Sequence, residues 1–516
     1  MRAKASVSAA AAGQLIDDRR SVADHLLENG ADDAVAFSVA GAQRTYEQLR
    51  DDVATFASAL TGLGWEPRTP VAVMAPNGPF WAAAYLAIMQ AGHVAVPLPT
   101  TLPVDEALAR LRWVGAAGIF LGGRPAASVG PAVPEGVDIF TAATCERERV
   151  SWVDRPHPGV DLDDDAAYLF TSGTTGTPRA VRLTHRNIRA NTDSILGYLH
   201  LRSTDRALVV LPYSYVFGAS LLHTHLRVGA TLVEQTTTAY PETTVNVLES
   251  ERCTVFAGVP STFHTLLRNS SFTHRRLPQL RIIQQAGGRL PPALLRELLA
   301  ADHGADVHVM YGQTEATARL SALDPRLLLS KPGSIGRGIP GVHLRVVDAE
   351  GENVAPGEVG EIWARGENIS PGYLADSDGS AVKMPDGELH TGDLATVDDE
   401  GFIYVVDRAE DFIKSWGFRV ASQDVEAAAM EMPDLIAVAA VGLPDEVAGE
   451  RVELLAVARR GSAVTADEVI ARCRELLPKH AVPVAVRFAE QLPLNANGKV
   501  VKRAVRELLI GAEAAG

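Results

Sequence analysis

Cysteine is scarce in this 516-residue chain: Cys145, Cys253 and Cys473 lie far apart, with neither a disulfide framework nor metal-ligand spacing. They read as reduced residues of a cytoplasmic protein. Long hydrophobic runs are missing as well. The most apolar stretch, around Phe80 to Leu98, is interrupted by Gln90 and His93 and predicts a buried helix and strand, with no membrane span. The first residues hold no sustained apolar core ahead of Asp17 and Asp18, which argues against a secretory signal. Nor is there an excess of basic charge. With 48 Lys and Arg against 63 Asp and Glu, the net charge of -15 is spread along the chain and disfavours nucleic acid as a partner. The P-loop pattern is also absent, because Gly176 is followed by Thr177, Pro178 and Arg179 where lysine and a hydroxyl residue would stand.

What the chain does have is the segment TSGTTGTPRA at residues 171–180. Its glycines Gly173 and Gly176 admit backbone conformations closed to other residues, and its N–H groups can converge on phosphate oxygens. Thr171, Ser172, Thr174, Thr175 and Thr177 add hydroxyl donors, and Arg179 adds a cation. The residues Ala166 to Phe170 predict a strand feeding this loop, and Thr184 predicts the cap of a helix starting near His185. Taken alone, such a cluster is equally a surface turn.

Hydrophobic content of 47% over this length supports several cores, so a large N-terminal region and a smaller tail are expected. Helix and strand patterns alternate from Arg44 onward: 44–64 helical, VAVMAPN strand and turn, 243–252 helix before CTVFAGVP, LLRELLAADHG before ADVHVMYG. This alternation predicts parallel sheets covered by helices. After Gly333 the chain becomes rich in valine, glycine and turns, which predicts a small barrel-like or antiparallel β element. Beyond GFIYVVDRAEDFI the pattern changes again: Ser422 is placed as the cap of a helix through Met430, LIAVAAVGL and VELLAVARR read as strands, and 465–477 as a helix. The fold class is therefore α/β, with a small α+β C-terminal domain of about 100 residues.

The segments TSGTTGTPRA, YGQTEA, HTGDL, DRAEDFIKSWGFRV and NANGKVVKR follow one another in the order and spacing of the adenylate-forming superfamily. Their combination resembles acyl- and aryl-acid ligases, luciferases and peptide-synthetase adenylation domains. The resemblance extends from Arg44 to Arg503. It implies ATP-dependent activation of a small carboxylic acid to an acyl-adenylate, with Mg2+, followed by transfer to CoA or to a pantetheinylated carrier protein. Other uses of the adenylate, such as nitrite-linked chemistry, stay open, as does a nucleotide-binding regulatory role without turnover.

By the same resemblance, residues 171–179 form the phosphate loop, Tyr311 lies against adenine, Thr314 contacts phosphate and Glu315 holds magnesium. Asp393 and Arg408 position the ribose, Gly287 and Gly288 leave room near the nucleotide, and Lys499 approaches the reacting carboxylate. The residue types suit the chemistry. Two anions meet when a carboxylate attacks the α-phosphorus, and a metal on Glu315 with a cation at Lys499 lowers that barrier. The acid pocket is assigned to Tyr215, Gly218, Ala286, Gly312, Thr317 and Arg319. Gly218 stands where amino-acid-activating domains place an aspartate for the substrate ammonium, so an α-amino acid is disfavoured. Arg319 reads as a recogniser of a second acid or hydroxyl, or as one half of a structural ion pair. His223 and His225 read as scaffold. The resemblance divides the chain into residues 1–409, binding ATP and acid, and a lid at residues 410–516 that pivots near Glu410. Trp416, before Gly417, stands where many relatives have a small residue, and reads either as a buried anchor of the lid or as part of a thiol channel.

Overall fold

The computed structural model describes residues 20–146, 159–171, 179–235, 240–301, 303–408, 411–494 and 500–513. Ser172 to Thr177, Glu410 and Lys499 lie outside the described residues.

Among the described residues, two layered sheets organise the first part of the chain, one of six strands and one of nine. The short apolar runs Pro70–Met74, Val94–Pro97 and Gly118–Leu121 pair in parallel. Their near-continuous apolar character fits strands covered on both faces. The nine-stranded sheet has a parallel centre, in which Ile282–Gln285 lies between Val255–Gly258 and Asp306–Tyr311, and antiparallel strands at both ends. Helix Pro79–Gln90 is buried nearly all round, as its Trp-Ala-Ala-Ala-Tyr run foretells. Small side chains let it pack closely against helix Tyr46–Thr61 within one core. That second helix starts two residues later than its sequence pattern indicates, because Ala42–Thr45 pairs as a strand with Val35–Val39 and Thr45 forms a capping box with Gln48. Thr184 caps helix His185–Leu199 as expected.

The expected small β element is a four-stranded antiparallel meander, His343–Val347, Gly360–Arg365, Leu389–Val397 and Ile403–Arg408. The C-terminal part is a five-stranded sheet with helices Ser422–Ala429, Ala466–Leu476 and Lys502–Glu513. Ser422 does not cap its helix: the N-cap is Ala421, and Ser422 is the first helical residue. Its N–H and hydroxyl both donate to the buried Asp407 at 2.6 Å, a partner that local sequence cannot reveal. Ion pairs Arg289–Asp424 (2.9 Å) and Arg296–Glu431 (3.0 Å) join the C-terminal part to the main body.

No described helix is long and apolar enough to cross a membrane.

A buried acid anchors the segment that leads into the cleft. The Tyr213 hydroxyl donates to Glu234, and the Tyr213 N–H donates to Asn77 at 3.0 Å. Burial pushes the Glu234 carboxyl up to about 8, although its bonds to Tyr213 and Asn77 pull the other way. The folded state therefore holds this proton more tightly than the unfolded chain, so the Glu234 contribution is greatest below about 4.5 and is lost as pH rises towards 8. Glu234→Gln is expected to abolish that dependence. In denaturant titrations at about pH 5 and about pH 9, the stability of the parent relative to the variant falls at the higher pH; a pH-independent difference would contradict the assignment.

Candidate active site

The two sheets and the meander enclose a cavity of about 710 Å³. Strand Asp165–Thr171 delivers Thr171 to its rim, and Arg179 returns on the antiparallel partner strand. Strand Asp306–Tyr311 ends at Tyr311, and the YGQTEA segment then turns through a 3₁₀ turn at Thr314–Ala316. Gly312, Thr314, Glu315 and Arg319 line the cavity, together with Tyr215, Ala286 and Gly287.

Beside the lining residue Arg408, Tyr311 donates its hydroxyl to Asp393 Oδ2 at 2.5 Å, and Arg408 Nε stands 3.4 Å from Asp393 Oδ1; Tyr311 and Asp393 are not themselves on the cavity lining. The meander brings Asp393 and Arg408 together by register, since they are direct antiparallel partners. Burial raises the Tyr311 hydroxyl well above its ordinary value and the adjacent Asp393 raises it further, so Tyr311 stays a donor. The Arg408 side chain is half-exposed and lines the cavity. Glu315 accepts a hydrogen bond from Tyr373 at 2.8 Å, which fixes one carboxylate oxygen while the residue faces the cavity.

The structure adds residues that the motifs leave out. Tyr373 orients Glu315, and its ring lies 5.5 Å from the Arg179 guanidinium carbon. Asp376 pairs with Arg179 at 3.4 Å. Lys383 donates to the Thr391 carbonyl at 2.7 Å, inside the HTGDL segment, and lines the cavity. Burial lowers its pKa, opposed by Glu315, Asp393 and Glu361. Tyr373, Asp376 and Lys383 sit on a connection and a short helix with no periodic or motif signal, so no local pattern could have found them.

Several assigned positions do other work. Thr317 turns its hydroxyl to the Asn368 carbonyl at 2.7 Å and adopts a left-handed backbone (φ 65). Gly288 lies next to Pro260 and does not line the cavity. Gly218 lies in helix Val216–Val228 away from the cavity lining, and a Cβ there would sit 2.0 Å from the Pro212 carbonyl oxygen. Helix and preceding loop approach so closely that only glycine fits. His223 stacks on Tyr85 and contacts its hydroxyl at 3.2 Å, and burial lowers its pKa to about 3, as a neutral scaffold residue requires. No cluster of His, Cys, Asp and Glu suited to a metal occurs among the described residues. Arg319 forms no ion pair with a described carboxylate. Its guanidinium instead lies 4.0 Å from the Phe217 ring centroid, with Nε 3.4 Å from the Met310 sulfur.

Trp416 is 60% exposed, which excludes the buried-anchor reading in this conformation. It and Gly417 form the two-residue turn between strands Ile413–Ser415 and Phe418–Val420, with φ of 53 and 79. Both residues at positive φ mark the turn type that matches strand twist.

Two substitutions check these local accounts. Gly218→Ala is expected to cost about 1–3 kcal/mol in denaturant titration, as overpacking against a backbone oxygen does. A neutral result would mean that the helix can move aside. Trp416→Gly is expected to leave stability unchanged or raise it by up to about 1 kcal/mol, because a bulky residue leaves the left-handed region; a loss above about 2 kcal/mol would restore the anchor reading.

Comparison with known proteins agrees with this architecture. The family model described as AMP-binding enzyme matches residues 25–374, and that of the AMP-binding enzyme C-terminal domain matches residues 424–499. The chain is 32% identical over 480 residues to a feruloyl-CoA synthase of Amycolatopsis sp, covering 92% of this chain and 95% of the relative. It is 33% identical over 493 residues to the 3-[(3aS,4S,7aS)-7a-methyl-1,5-dioxo-octahydro-1H-inden-4-yl]propanoyl:CoA ligase of Rhodococcus jostii (strain RHA1), covering 90% and 93%. The fold superposes with a TM-score of 0.89 on the anthranilate CoA ligase AuaEII in complex with anthranoyl-AMP, at 22% identity, over 96% of this chain and 98% of that one. The chain therefore belongs to the AMP-binding enzymes, the adenylate-forming superfamily of acyl- and aryl-acid ligases.

Proposed function

We propose that this protein converts a small aryl or modest-length acyl carboxylic acid into its adenylate, releases pyrophosphate, and then transfers the acyl group to CoA. The observation that supports this reading most directly is that Arg408, which lines the cavity with Thr314 and Glu315, stands against the Asp393 that Tyr311 holds just outside the lining. The acid half rests on the wall built from Tyr215, Phe217, Ala286 and Gly287, and CoA as acceptor rests on the names of the two relatives.

In the first step a carboxylate oxygen attacks the α-phosphorus of ATP, the bond to the bridging oxygen breaks and pyrophosphate leaves. In the second, the thiol sulfur attacks the acyl carbonyl, AMP departs and the thiol proton passes to solvent. Asp393 accepts from the ribose hydroxyls, Arg408 donates beside it, and Tyr311 holds Asp393 in place while offering its ring to the base. Thr171, Arg179 and Thr314 face the phosphates. Glu315, a hard oxygen donor already oriented by Tyr373, fits Mg2+, which binds few protein carboxylates and completes its shell with phosphate and water. When bound there, the metal neutralises charge on the phosphates. Lys499 supplies a cation to the pentavalent centre, and the lid from 410 onward pivots to exchange the phosphate-transfer arrangement for the thiol-transfer one. Trp416, exposed on its hairpin, packs along the pantetheine arm.

Carboxylate-dependent pyrophosphate release over a panel of aryl, fatty and amino acids tests the reaction, with mass detection of products with and without CoA. Release with aryl or acyl acids and a CoA thioester product is expected; ATP binding without release across the panel would sink the enzymatic reading, and an adenylate that persists with CoA would redirect the acceptor to a carrier protein. Lys499→Ala is expected to slow release by about a hundredfold or more. Release at the parental rate would remove Lys499 from the mechanism.

A further inference from the structure

Arg319 is 2% exposed and yet lines the cavity. Its backbone is fixed independently of its side chain: its carbonyl accepts from Asn191 Nδ2 and Asn368 Nδ2, each at 3.0 Å, and its N–H donates to Asn191 Oδ1 at 3.3 Å. The guanidinium is thus delivered to one place. There it meets the face of Phe217, the sulfur of Met310 and the neighbouring Tyr198 hydroxyl, all of them neutral. A guanidinium does not give up its proton, and desolvating it without an anion is costly. Arg268, the other described arginine with a side chain as little as 9% exposed, does not accept that state, since it meets Glu297.

Among the described residues, three acids line the same cavity, Glu315, Asp376 and Asp378, and none pairs with Arg319. Glu315 is held by Tyr373, and Asp376 pairs with Arg179. Those groups are supported by the connection between the second and third strands of the meander, whereas Arg319 is backed by helices His185–Leu199 and Val216–Val228, which supply Tyr198 and Phe217. Phe217 and Arg319 together present an aromatic face beside a fixed cation. Such a pair suits a substrate whose apolar body ends in an anion.

We infer that Arg319 is a specificity-determining residue that receives a second carboxylate of the substrate acid, distinct from the carboxylate that is activated. The inference rests on the adenylation reading for the identity of the first carboxylate, but it concerns binding. A carboxylate arriving at Arg319 forms charge-assisted hydrogen bonds with donors that the protein itself supplies with no anion. Acids of similar shape without that group leave the cation desolvated and unpaired. The reaction that supplies this substrate therefore leaves two free carboxylates, and the product keeps one.

Calorimetric titration in the presence of AMP tests this with matched pairs: benzoate against benzene dicarboxylates, and a medium-chain fatty acid against its ω-carboxylated counterpart. The parent protein is expected to bind at least one doubly acidic member about tenfold or more tightly than its partner. Arg319→Met, which keeps length and apolar contact with Phe217, removes the preference while leaving the singly acidic partner within about threefold, and Arg319→Lys retains part of it. Equal or weaker binding of every doubly acidic acid to the parent overturns the inference, whether or not the variants fold. Equal weakening of both members of each pair in Arg319→Met also overturns it, since Arg319 would then hold the activated carboxylate or only the cavity wall. Because binding is read without turnover, absence of pyrophosphate release would count against adenylation alone.

Discussion

The arrangement depends on one part-buried contact, the hydroxyl of Tyr311 on the carboxylate of Asp393. Tyr311 ends a strand of the large sheet, Asp393 lies in the antiparallel meander, and the two must meet for a cleft to exist between them. An unpaired phenol or carboxylate at that depth would cost more than the contact gains, so the bond fixes how the meander sits on the sheet. Arg408 then follows by register, and Glu315 by its position just past Tyr311. A second clasp, Tyr373 on Glu315, closes the same junction from the connection between the meander's second and third strands.

Phosphate-transfer chemistry needs donors and cations held in place before the reactants arrive. Thr171 and Arg179 on their paired strands, the 3₁₀ turn after Tyr311 and the meander each contribute a short, locally determined piece. Long-range packing makes them converge. Buried polar pairs such as Tyr213 with Glu234 perform the same service behind the cavity wall, holding the chain that leads to Tyr215.

Much of this was legible in the sequence. Apolar runs bounded by helices gave parallel strands, Thr184 and Thr465 gave helix starts, and five collinear motifs pointed to the family. The misreadings share a cause. Ser422 has the composition of a cap but is drawn to Asp407, fifteen residues earlier. Gly218 looks like an open pocket position but answers to the Pro212 carbonyl. Lys383 and Tyr373 owe their place to the fold alone. Arg319 was visible as a charged residue in a pocket segment, yet only the structure reveals that its neighbours are neutral. Spacing along the chain reports local geometry and recurring motifs; it does not report which distant group a side chain will meet.

The central claim is that a carboxylate attacks the α-phosphorus in this cleft. Supplying an accepted acid with both carboxylate oxygens replaced by a heavy isotope, and weighing the AMP formed after thiol transfer, tests it directly. Direct attack places one heavy oxygen in AMP. Unlabelled AMP, or formation of ADP and phosphate, would contradict the account.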